Sequence, residues 1–95
     1  MSSKFKYALN MDGTSYQGIV NTTYKKLVKV FGNPTTGGSF DGKVNVEWEL
    51  ENEDGVVFTI YDWKEDKIPK GKHDWHIGGF SDKAVDVVLN AIDEV

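Results

Sequence analysis

The stretch "KVNVEWELENEDGVVFTIYDW", residues 43–63, decides the fold. Its first half alternates Val44, Val46, Trp48 and Leu50 with Asn45, Glu47, Glu49 and Glu51. Successive side chains on a strand point to opposite faces, so this pattern makes one apolar face and one acidic face. "NEDG" supplies turn chemistry, with Gly55 free to adopt positive φ. "VVFTIYDW" returns as a second strand rich in β-branched and aromatic residues. Phe58 and Ile60 should join the core. Val57, Thr59, Tyr61 and Trp63 should share the other face with the glutamates.

Downstream, "WHIGGF" is short enough for one further strand. His73 and His76 sit three apart, which places them on opposite faces of a strand. Two such ligands with no third nearby do not make a zinc site, so no metal is expected. Gly78 and Gly79 then allow a sharp turn into "SDKAVDVVLNAIDEV". Ser81 should cap this helix, and Ala84, Val85, Val88, Leu89 and Ile92 should form its buried stripe.

Upstream, "NTTYKKLVKVFGNP" has all the marks of a short helix. Thr22 or Thr23 caps it, and Tyr24, Leu27, Val28 and Phe31 line one side. Gly32 and Pro34 end it. Before it, "FKYALNM" (5–11) alternates like a strand and "DGTS" breaks it. The expected order is therefore βαβββα. It describes an α+β domain with an antiparallel sheet of three to four strands and two helices packed on one face.

Residues 1–95 are short enough for a single domain with a modest core. Aromatic residues make up 13% of the chain, a generous supply of buried area for an apolar fraction of only 39%. Cysteine is absent, which excludes disulfides and thiolate chemistry and favours a reducing compartment. No apolar run approaches the roughly 18 residues of a membrane span, and "MSSKFKYALN" lacks a signal-peptide core, so no membrane association is expected.

Charge is unevenly spread. Seven carboxylates against Lys43 leave −6 over residues 41–62, within a net charge of −4 for the chain. All eleven basic residues are lysine. Without arginine there is no bidentate reader of phosphate or guanine, so duplex nucleic acid is not an expected partner.

Two candidate surfaces follow. The acidic row Glu47, Glu49 and Glu51, with carboxylates about 6.6–6.8 Å apart, either keeps a solvated strand from aggregating or imitates a row of phosphates. With Tyr61 and Trp63 it forms the candidate partner-binding surface, since exposed aromatic patches mark interfaces. "DGTSYQG" (12–18) is the alternative. Thr14, Ser15 and Gln17, with His76, would bind a small nucleotide-type ligand, although no phosphate-loop pattern is present. An open strand face offers no cleft to tune paired carboxylates, and no nucleophile–base set or cofactor motif can be assembled. A non-enzymatic role, without catalytic residues or cofactor, is expected.

Two resemblances bear on this. From residue 22 the order helix, three strands, helix resembles the double-stranded-RNA-binding domain, as does the ending "GGFSDKAVDVVLNAI". That family clamps phosphates with a lysine cluster opening its last helix. Here Lys83 stands alone between Asp82 and Asp86, so the layout carries over and the binding residues do not. Over nearly the whole chain, "DGTSYQGIVNTTYKKLVKVFGNPT", "VEWELENEDGVVFTIYDWK" and "WHIGGFSDKAVDVV" resemble a family of small uncharacterised tailed-bacteriophage proteins. Those carry G-T-S-x-Q-G and W-H-I-G-G motifs. The resemblance implies a phage accessory protein that binds and modulates a host protein, an enzyme or defence component, in the host cytoplasm.

Overall fold

The computed structural model describes residues 5–8, 13–35, 44–63 and 67–94. The elements are β1 (Lys6–Tyr7), β2 (Ser15–Thr22), α1 (Tyr24–Phe31), β3 (Glu47–Glu51), β4 (Val57–Tyr61), β5 (His73–Gly79) and α2 (Lys83–Asp93). The protein has an α+β fold. Its five strands form one antiparallel sheet in the order β1-β3-β4-β5-β2.

The expected class is therefore found, with one strand more than expected. Ser15–Thr22, expected to belong to a turn and a helix cap, is a full strand paired along β5 from Ser15↔Gly79 to Thr22↔His73. Its alternation is hidden because the register shifts between Tyr16 and Gly18, a bulge that puts an extra residue in the pattern. The turn before it is real: Gly13 has φ 94. Of the expected first strand, Lys6–Tyr7 pairs with β3, and Leu9 to Met11 lie outside the described residues.

The 43–63 hairpin folds as its pattern dictates. Val44, Val46, Trp48 and Leu50 are buried, as are Phe58 and Ile60. Asn52 holds the turn: its Oδ1 accepts from the N–H groups of Asp54 and Val56, and Gly55 takes φ 82. Asp62, one of the seven carboxylates of residues 41–62, is buried. It accepts from the backbone N–H of Asn45 (2.7 Å) and of Val46 (3.2 Å) and from the Asn45 side chain (2.6 Å), fastening the entry to β3.

Both helices pack on one face of the sheet. Leu27, Val30 and Phe31 of α1 and Ala84 and Val88 of α2 close over Val20, Trp48, Phe58, Ile60, Trp75 and Ile77. Two indoles anchor α1 at its ends. Trp75 Nε1 donates to the Thr22 carbonyl (3.1 Å), and Trp48 Nε1 donates to the Gly32 carbonyl (2.9 Å). The two rings meet edge to face at 5.8 Å. Thr23 is the cap of α1, its hydroxyl accepting from Lys26 N–H.

On α2 the expected details shift by one residue. The N-cap is Asp82, without a side-chain capping bond, while Ser81 Oγ accepts from Lys83 N–H at 3.3 Å. Leu89 is exposed; Val87 and Ala91 pack against the core in its place. The helix sits close because Gly79 has no side chain. A Cβ there would stand 2.5 Å from Ala84 Cβ and 3.1 Å from the Val57 carbonyl. Among the described residues no helix is long and apolar enough to cross a membrane.

Candidate functional site: an open aromatic sheet face

The sheet face opposite the helices carries the alternate residues of the same strands. Register sets its rungs. Glu47 lies opposite Tyr61, Tyr61 opposite His76, and His76 opposite Ile19. The next rung runs Glu49, Thr59, Gly78, Tyr16. Glu51 faces Val57 at the turn end of the hairpin, about 13 Å along the strand from Glu47.

His76 is the hub of this face. Its ring lies 5.1 Å from Tyr16, 5.5 Å from Tyr61 and 6.0 Å from Trp63, with Trp63 stacked on it at an interplanar angle of 24°. Tyr61 and Trp63 meet edge to face at 6.3 Å. Such offset and edge-on pairings each contribute about 0.5–1.5 kcal/mol beyond area burial. The cluster nevertheless stays open to solvent: Tyr16 is 56% exposed, Ile19 45% and Trp63 38%. Thr59, expected on this face, lies on it and is buried. A Cβ on Gly78 would lie 2.5 Å from Thr59 Oγ1, so the glycine leaves the space that this hydroxyl uses. The pair of glycines thus serves both faces, Gly79 for the helix and Gly78 for the open side.

The electrostatics of the face are unusual. Burial, then the neighbouring Glu49 carboxylate, push the Glu47 carboxyl up from 4.5 to about 7. Burial, then Glu47 and Tyr16, raise the Tyr61 phenol above its ordinary value. Burial lowers the His76 imidazole, His73 adds to that, and Asp74 opposes it. At neutral pH the hub is an uncharged imidazole, and across the Tyr61 strand from it lies a carboxyl near its midpoint.

Of the residues expected to form a partner surface, Glu47, Glu49, Tyr61 and Trp63 come together here, and Glu51 stands apart. Of the alternative ligand set, His76 is at the centre of the same face. Thr14 precedes β2, and Ser15 and Gln17 lie in its first turn of pairing with β5. The Gln17 amide donates to Ser15 Oγ (3.2 Å) and to the Gly79 carbonyl (3.0 Å). Tyr16 and Ile19 were missed, because their strand was missed. The signal that reveals them is the β-branched and aromatic content of "YQGIVNTT" between a glycine turn and a helix cap.

Among the described residues no group of three or more His, Asp or Glu is arranged to hold a metal ion. A groove of about 650 Å³ at the β1 edge, lined by Phe5, Tyr7, Val28, Phe31 and Leu50 among others, contains none of the candidate residues.

The molecule is thus an α+β domain presenting a half-open aromatic sheet face edged by carboxylates. No protein-family model matches the chain, and no curated protein or solved structure is significantly similar to it.

Proposed function

We propose that this chain is a non-enzymatic phage accessory protein that binds a host protein in the host cytoplasm, and that the open sheet face is the contact. The phage setting rests on the sequence resemblance. The binding role rests on one observation: Tyr16, Ile19 and Trp63 are exposed side by side around His76. Exposed apolar patches of this kind mark interaction sites, and aromatic anchors dominate their energetics. A rigid strand platform suits that task, since docking then orders few side chains. The engaged donors of Gln17 weigh against the ligand-binding alternative.

Affinity capture from host lysate, with the wild type compared to Tyr16→Ala and Trp63→Ala, tests the reading. A protein held by the wild type and lost from both folded variants is the expected result. Retention of the same protein by both variants would move the contact elsewhere. A melting shift with nucleotides, abolished by His76→Ala, would restore the small-ligand reading.

A further inference from the structure

Resting on that reading, the charge of the open face says what kind of protein it takes. Glu47 and Glu49 follow one another on the same face of β3, and Tyr61 and Thr59 are their cross-strand neighbours. Glu47 has Tyr61, not a cation, across the strand, and the two influences on its carboxyl, burial and the Glu49 carboxylate, both push it up. The exposed lysines Lys25 and Lys29 belong to α1, on the other side of the sheet, while exposed Lys6 of β1 lies on the open face opposite Glu51, two residues along β3 from Glu49. The open face therefore sets Glu47 and Glu49, which have Tyr61 and Thr59 rather than a lysine opposite them on β4, beside a bank of π-faces.

Each half of this arrangement attracts the same thing. Carboxylates partly removed from water gain most from a cation that replaces their lost solvent. Ring faces attract a cation through their quadrupole, arginine most often. A guanidinium or ammonium seated between Glu47 and the Tyr61 ring satisfies both at once. An acidic or neutral segment would bring a like charge, or none, against an already crowded pair of carboxylates.

We propose that the open face docks a basic segment of a protein partner, setting an arginine or lysine side chain against Glu47 and Glu49 beside the rings of Tyr61 and Tyr16. Apolar neighbours of that side chain in the partner would rest on Ile19 and Trp63. Arginine is the better fit, because its planar head can pair with one carboxylate while stacking on a ring.

The test is fluorescence anisotropy with short labelled peptides of arginine, of lysine and of glutamate, each carrying one tryptophan, at about 0.15 M salt. Four folded proteins are compared: the wild type, Glu47→Gln with Glu49→Gln, Tyr16→Ala, and Glu53→Gln with Asp54→Asn. The last pair removes at least as much charge from the exposed hairpin turn, so it controls for net charge alone. The expected result is saturable binding of the arginine peptide. It should weaken at least about tenfold in the first pair and in Tyr16→Ala, and hold in the turn pair. Equal weakening in both charge-removed pairs would overturn the site, since net charge alone would explain it. Failure of both basic peptides to bind overturns the cationic assignment. Concentration-dependent self-association lost in the Glu47, Glu49 pair also overturns it, because a second copy would then supply the lysine.

The host partner separates this inference from the reading beneath it. If that partner is lost on Trp63→Ala and kept on Glu47→Gln with Glu49→Gln, the face is an interface and its occupant is not basic.

Discussion

The two faces of this sheet are built from the same strands and finish differently. On β3 and β5 the odd and even positions split cleanly: Trp48 and Trp75 are sealed under the helices, while Glu47 and His76, each one residue away in sequence, lie on the open side. Both faces hold aromatic clusters with ring separations of 5–6 Å. The core cluster has its polar atoms matched, each indole N–H to a backbone carbonyl at an end of α1. The open cluster leaves rings exposed and a carboxyl held near neutrality by burial and a like charge. Packing explains the first face completely. The second gains only its ring pairings and still leaves aromatic surface exposed and like charges together, which is the physical reason to look for function there.

Truncating the core side is the harshest way to test this division. Trp48→Ala removes a fully buried ring and frees the Gly32 carbonyl at the end of α1. It should cost about 3–5 kcal/mol, a large share of the stability of a domain this size. Chemical denaturation measures it. A midpoint close to wild type would mean that Trp48 is not the keystone the structure makes it.

The glycines sharpen the comparison, since adjacent residues serve opposite faces. Gly79→Ala drives a methyl into Ala84 Cβ and the Val57 carbonyl, and neither can rotate away. A loss of about 1–3 kcal/mol is expected, typical of overpacking. Gly78→Ala meets the Thr59 hydroxyl first, a group that can turn aside. It should cost less, and Thr59→Ala in the same chain should recover part of the loss. Equal costs at the two positions, with no recovery, would show both faces to be equally closed.

How far the sequence foretold this division follows from which strands obey period two. The hairpin does, so Trp48, Phe58 and Ile60 were legible as core, and Glu47, Glu49, Tyr61 and Trp63 as the other face. The last strand was legible too, including the placement of His76 opposite Trp75. β2 was not, because its bulge breaks the alternation between Tyr16 and Gly18. With it went Tyr16 and Ile19, two of the three exposed apolar residues around His76. The burial of Asp62 was not legible either, since nothing local distinguishes a solvated aspartate from one that reaches back seventeen residues to the backbone of Asn45.

The open face should also reveal itself in pH dependence. Folded Glu47 keeps its proton to about pH 7, whereas an unfolded glutamate releases it near 4.5. Between those values the folded state binds more protons, so this group's contribution to stability falls as pH rises through the window. His76 acts in the opposite sense. Its folded pKa lies below 6.5, so its contribution grows as pH climbs to that value. Glu47→Gln should abolish the fall and leave the rise, giving a variant that gains on wild type as pH rises from 4.5 to about 7, with the difference level beyond that. Denaturation midpoints of both proteins across this range decide it. Parallel curves would place the Glu47 carboxyl in ordinary solvent.

The smallest effect on folding is expected at Trp63, where the contrast with Trp48 is most direct. Both are tryptophans of the same hairpin, yet Trp63 lies beyond the end of β4 with 38% of its surface in water. Its ring stacks on His76, an imidazole that is itself only partly covered, so removing it uncovers little that was dry. Trp63→Ala should therefore cost about 1 kcal/mol, the worth of its two partly exposed ring contacts, against several for Trp48→Ala. Its effect should appear in binding instead. Charges mainly set the rate of encounter, while buried aromatic anchors set how long a complex lasts. Surface plasmon resonance with the captured partner should show faster dissociation for Trp63→Ala and little change in association. Glu47→Gln with Glu49→Gln should slow association and flatten its salt dependence. If Trp63→Ala unfolds the protein as Trp48→Ala does, the ring belongs to the core and the open face loses its strongest anchor.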